Sequence, residues 1–222
     1  MAVIHQTVLT PTKLELLASW LPTRPWYRGG AGEPDLAKAG GFRLDDPQGE
    51  VGIEFLVVTD ASGAESAAYL VPLTYRGVPL DGAEHALVGT MEHGVLGRRW
   101  AYDGCHDPVL VAQLLALIEG RAQAQDQNAS DTPDRGIVRA CTHEVPLAAE
   151  DFGTAEDSRD GTELSGPHGA VLRLHRLLRS APEGVPPVPS GEAAGHVSGA
   201  WLPPDGTRTR GLFALLHTDR RS

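Results

Sequence analysis

Apolar and polar positions along this chain repeat in two periods, and each change of period marks an element. Near the start, Leu14, Leu17, Ala18 and Leu21 fall at i, i+3, i+4 and i+7, a single helical stripe. Thr12 and Glu15 stand at its head with capping-box spacing, in which hydroxyl and carboxylate each satisfy a free backbone N–H. Pro22 and Pro25 end it. Runs of β character follow at 49–59 (GEVGIEFLVVT) and 67–75 (AAYLVPLTY), with the turn-forming Asp60-Ala61-Ser62-Gly63 between them. Pro72 withholds a ladder hydrogen bond, which predicts an edge or a bulge at that point. A second strand pair is predicted over 85–91 and 95–102, turning at Glu92-His93-Gly94.

The helical period returns after Asp107, an N-cap residue followed by Pro108 at the first helical position. Leu110, Leu114, Leu117 and Ile118 form the stripe and Gly120 ends it. Residues 121–135 (RAQAQDQNASDTPDR) are polar without apolar period and read as a linker. One strand is predicted within 137–147, and 148–164 is acidic and turn-rich. Residues 170–178 (AVLRLHRLL) fit either a strand with an Arg-rich turn or a short helix. Residues 181–195 read as proline- and glycine-rich loop. A hairpin closes the sequence, 196–202 and 209–217 around Pro203-Pro204-Asp205-Gly206.

Composition narrows the classes. The 222 residues carry a net charge of −10, which argues against a nucleic-acid partner because nothing would neutralise a phosphate backbone. The arginines Arg98 and Arg99, and the spaced set Arg173, Arg176 and Arg179, are the basic groupings, read as solvated faces or carboxylate partners. No segment approaches the roughly 20 apolar residues that span a bilayer, and the N-terminus lacks a secretory pattern. No membrane association and a cytoplasmic location are therefore expected; Cys105 and Cys141 allow a disulfide, though a chain without an export signal usually keeps its thiols reduced.

Clustered chemistry is sparse. Asp103, Cys105, His106 and Asp107 lie close together, but no second Cys/His cluster completes a zinc pattern, so a turn before a helix is the reading and no metal is expected. Asp151-Phe152-Gly153 spells a kinase metal-binding triplet without the upstream His-Arg-Asp, and reads as chance. Gly166 and Gly169 flank Pro167-His168, a weak phosphate-cradle pattern because proline removes a donor. Trp20, Trp26 and Tyr27 are candidate binding-surface residues, since aromatic faces suit sugars; packing in the core is the other reading.

The stretch Trp20-Leu21-Pro22-Thr23-Arg24-Pro25-Trp26-Tyr27 resembles the opening of the maltokinase N-terminal cap. There a helix ending in Trp-Leu is followed by a basic residue and Trp-Tyr. The order of elements continues to match through Tyr75 and the helix at 107–119. The resemblance implies an α+β fold: a curved antiparallel β-sheet packed on a helix, cystatin-like, over residues 1–120. A linker at 121–135 and a small, mostly β, degenerate kinase N-lobe-like portion at 136–222 would follow. Residues 162–178 are similar to the family's first N-lobe hairpin, whose strand carries a lysine at the nucleotide; Arg173 stands at that position here. Gly195 to His217 is similar to the later N-lobe strands.

Phosphoryl transfer needs a positioned base, Mg²⁺ ligands and a lysine on the phosphates. The family holds the first two in a C-lobe that lies beyond these 222 residues, and arginine is not a safe substitute for the lysine. No catalytic residue and no cofactor are expected. The resemblance implies a non-catalytic, pseudokinase-like accessory protein that binds an enzyme of α-glucan (glycogen), trehalose or maltose metabolism. The alternatives are a sugar kinase-like or glucan-active component, such as a maltokinase or 1,4-alpha-glucan branching system, and a sugar- or nucleotide-binding sensor.

Overall fold

A computed structural model describes residues 9–142, 146–181, 193–204 and 206–218. In the first half, β1 (Leu9–Thr10) and α1 (Lys13–Trp20) precede β2 (Leu36–Leu44), β3 (Gly52–Asp60) and β4 (Ala67–Arg76). The hairpin β5 (Leu87–His93) and β6 (Gly97–Asp103) leads into α2 (Pro108–Glu119). The second half contributes β7 (Val138–Cys141), β8 (Glu156–Asp157), β9 (Thr162–Ser165), β10 (Val171–Leu174) and β11 (Leu177–Leu178). It closes with β12 (Gly195–Trp201) and β13 (Thr209–His217). Every pairing is antiparallel, in the order β1-β5-β6-β4-β3-β2-β12-β13-β10-β9-β8, with β11 on β4 and β7 on β12.

Local signals place both helices. Thr12 Oγ1 accepts from the Glu15 N–H while Glu15 Oε2 accepts from the Thr12 N–H at 2.6 Å, the predicted reciprocal cap. The carboxylate is held below its usual range by those same hydrogen bonds. Asp107 accepts from the Val109 N–H at the head of α2, and Gly120 ends that helix with φ at 83°, a left-handed conformation glycine adopts without a Cβ clash.

Strand β3 is buried on both faces, and its side chains sort by parity. Ile53, Phe55 and Val57 join Leu110, Leu114 and Phe213 in a core covered by α2 and the second half. Leu56 and Val58 face Leu17, Trp20, Leu21 and Trp26, from α1 and the turn that follows it. The sheet is thus sandwiched between two layers. The expected antiparallel sheet with a helix packed on it is present, with the second helix on the opposite face.

Pro72 lies in β4, which is not a sheet edge: Pro72 pairs with Phe55 of β3. On the other side of β4, β11 pairs only with Ala68 and Tyr69, and β6 begins at Leu73. The Leu70 N–H points to that side, donating to the Arg176 carbonyl at 2.9 Å. Two residues on, Pro72 faces the same way, into the gap between β11 and β6, where no ladder partner is missed.

Buried Glu54 on β3 is hydrogen-bonded by Lys13 at 2.5 Å and by the Tyr75 hydroxyl at 2.7 Å. Burial alone would raise its pKa; Lys13 and Tyr75 overcome that and hold it low. Lys38 is also drawn electrostatically to Glu54, so both lysines of the chain surround one carboxylate.

In the second half, the 170–178 alternatives resolve into strands β10 and β11. Residues 121–135, expected as a linker, run against β2: Arg43 and Gln125 exchange two backbone hydrogen bonds of 2.9 Å, and Ala124 is buried. The polar side chains there serve local turns, as when Asp126 accepts from the Asn128 and Ala129 N–H groups. The expected loop at 181–195 falls largely on residues outside those described, as does Asp205 of the predicted turn. Among the described residues, no helix is long and apolar enough to cross a membrane.

Candidate functional site

From Leu172 to Arg179 the chain keeps one alternation through the step from β10 into β11. Leu172, Leu174, Arg176 and Leu178 are buried, while Arg173, His175, Leu177 and Arg179 face the other way. That outer row forms one wall of a cavity of about 390 Å³. The turn between β8 and β9 adds Arg159 and Asp160. The spaced arginines, expected on solvated faces or beside carboxylates, are split by the strand alternation, which sends Arg173 and Arg179 outward and Arg176 into the core.

The charges differ in how they are held. Arg173 opposes Glu163 in register across β10 and β9, with Nε 2.5 Å from Oε1, and remains 41 % exposed. Arg179 and Arg159 are exposed and make no ion pair among the described residues. The backbone carbonyl of Arg159 accepts from Arg28 at 3.1 Å, which ties the turn to the segment after α1. Between the arginines, His175 has a buried Nε2 with no hydrogen-bond partner. Burial, with Arg173, His217 and Arg179 adding repulsion, pushes its pKa down to about 4, so the ring is neutral at pH 7.

Arg176 serves a different purpose. Its Nη2 lies 2.6 Å from each oxygen of Asp103 and 3.2 Å from Cys105 Sγ, and its Nε donates to Thr162 Oγ1 at 2.7 Å. Its guanidinium carbon stands 5.1 Å from the ring centre of Trp26, a cation–π contact. Burial opposes the charge, but Asp103 overcomes it and the pKa is raised. Burial likewise pushes the Cys105 thiol well up, which makes it an inert core group.

The aromatic candidates do not form an open surface. Trp26 is fully buried and Trp20 nearly so, with ring centroids 5.8 Å apart in an edge-on arrangement, and Tyr69 packs behind Trp26 at 6.0 Å. Tyr27 is half-buried, and its hydroxyl donates to Asp60 at 2.6 Å; burial and that carboxylate push its pKa up to about 12. The physical reason is the proline-bounded turn after α1, which folds these rings onto the even face of β3.

The remaining polar clusters are accounted for by the fold. Asp103 is paired with Arg176, and Asp107 combines its cap with a two-pronged bond to Arg76, both prongs 2.7 Å. His106 hydrogen-bonds His85 at 3.1 Å. No group of three or more His, Cys, Asp or Glu suited to a metal occurs among the described residues. Asp151 ends a short turn and is exposed, with the Gly153 N–H donating to the Ser165 carbonyl. Cys105 and Cys141 are not joined in a disulfide.

No curated protein matches the chain. Among family models, the maltokinase N-terminal cap domain matches residues 20–107, from the end of α1 to the N-cap of α2. That span takes in the buried aromatic turn and strands β2 to β6. Over residues 20–107 the chain is therefore similar to a maltokinase N-terminal cap domain.

Proposed function

We propose that this protein is a non-catalytic accessory of α-glucan, trehalose or maltose metabolism, acting by binding an enzyme of that pathway, with its second half a degenerate kinase N-lobe. The cap match over residues 20–107 is the observation that carries the reading, because it links the chain to maltokinase-like function. The state of Arg173 supports the non-catalytic part. At the position where the resemblance would place a phosphate-binding lysine, an arginine is engaged by Glu163 across the ladder.

Two measurements test the reading. Purified protein with ATP, Mg²⁺ and maltose or glucose should give no sugar phosphate above a protein-free control; turnover abolished by Arg173→Ala would overturn it. Immobilised protein should retain a trehalose synthase, maltokinase or glucan-branching enzyme from the same source. Failure to retain any of the three would remove the partner assignment.

A further inference from the structure

The pocket beside β10 carries an assignment that does not depend on whether the protein docks on an enzyme. Three arginines line one cavity in a chain whose net charge is −10. Glu163 engages one of them, Arg173. Arg159 and Arg179 have no ion-pair partner among the described residues, and they approach from separate elements, the β8–β9 turn and the end of β11. A guanidinium fork matches the oxygens of a phosphate, and two forks from different directions suit a dianion.

The rest of the lining narrows the ligand. The volume of about 390 Å³ falls in the range of small-molecule sites, roughly 300–1,000 Å³, and exceeds what a bare anion needs. Asp160 and Ser180 offer a carboxylate and a hydroxyl suited to ligand hydroxyl groups; Leu177 and Leu212 supply limited apolar floor. Among the described residues no Phe, Tyr or Trp lines the cavity to offer a platform for stacking a nucleobase. His175 also belongs to this wall, with its Nε2 buried and without a hydrogen-bond partner.

We propose that this pocket binds a small phosphomonoester, its phosphate clamped between Arg159 and Arg179 with Arg173 at the margin, and its polar body set against Asp160 and Ser180. Sequence periodicity builds the site. Positions 173, 175, 177 and 179 share one face only because the β alternation carries on across the break between β10 and β11.

Isothermal titration of the full chain tests this with glucose 6-phosphate, inorganic phosphate, glucose, and ATP without metal as probes. Glucose 6-phosphate is expected to bind, inorganic phosphate to compete with it, and glucose to give no heat. Arg179→Gln and Arg159→Gln, both at exposed positions, should each weaken binding about tenfold or more. Arg98→Gln, on the β5–β6 hairpin, should leave it unchanged. The His175 imidazole resonances should shift on titration, which locates the ligand. Absence of binding by either phosphate probe at about millimolar concentration would overturn the proposal, as would equal binding of glucose. Wild-type affinity in both arginine variants would also overturn it. Binding of ATP alone would replace it with a nucleotide site.

Discussion

Arg176 and Asp103, 73 positions apart, meet as a buried ion pair in which one guanidinium nitrogen lies 2.6 Å from both carboxylate oxygens. The pair joins the segment between β10 and β11 to the end of β6. Removing one partner strands the other charge away from water, so Arg176→Met and Asp103→Leu should each cost about 3–5 kcal/mol. The double variant should recover a large part of that loss, because no isolated buried charge remains. Urea unfolding of the four proteins gives the coupling directly; additive losses would show that the pair is not coupled.

A shared core predicts one melting transition. Phe55 and Leu70 of the first half pack in the same cluster as Leu172 and Phe213 of the second, and β11 hydrogen-bonds to β4. Far-ultraviolet circular dichroism and tryptophan fluorescence should therefore give coincident unfolding curves. Two separated transitions would show that the halves fold independently.

Trp26→Ala should destabilise the protein by about 3–5 kcal/mol, the cost of emptying a large buried aromatic site. Tyr27→Phe keeps the ring and removes the half-exposed bond to Asp60, and about 1 kcal/mol is expected. Chemical denaturation distinguishes the two. Equal effects would contradict the different burial of these neighbours.

His175 makes stability depend on pH in one direction. Its folded pKa of about 4 lies below the ordinary value of 6.5, so between them the unfolded chain binds more protons. Its contribution is intact above pH 6.5 and is lost as pH falls toward 4, with a slope approaching about 1.4 kcal/mol per pH unit. Arg173, Arg179 and His217 oppose protonation, and Arg159 and Asp160 line the same wall. Because His106 and His196 are also lowered, the measurement is the difference between wild type and His175→Gln across this window. Parallel profiles would contradict the assignment to His175.

Local chemistry was legible before the fold was known, and distant pairing was not. The caps at Thr12 and Asp107 and the terminal glycine of α2 act within one helical turn, so residue types at fixed spacing reveal them. The hairpin β5–β6 was found with its turn displaced two residues, because the tip is set by His93 Nδ1 accepting from the Val95 and Leu96 N–H groups. Arg176 was grouped with Arg173 and Arg179 because nothing nearby names Asp103 as its partner. The alternation Leu172, Leu174, Arg176, Leu178 was the available signal, with a charged residue at one apolar position. The pocket needed, besides that row, a turn whose position depends on β8–β9 pairing.

The two lysines around Glu54 give the chain an uncommon chemical address. Apart from the α-amino group, Lys13 and Lys38 are its only amines. Lys13 is bound to the buried carboxylate, whereas Lys38 is the more open to solvent, and partial desolvation by its neighbours lowers its pKa. Acylating reagents should therefore modify Lys38 well before Lys13. Among the side chains a single tag can thus be placed at β2 without engineering, and the release of Lys13 to the reagent would report detachment of α1 from the sheet.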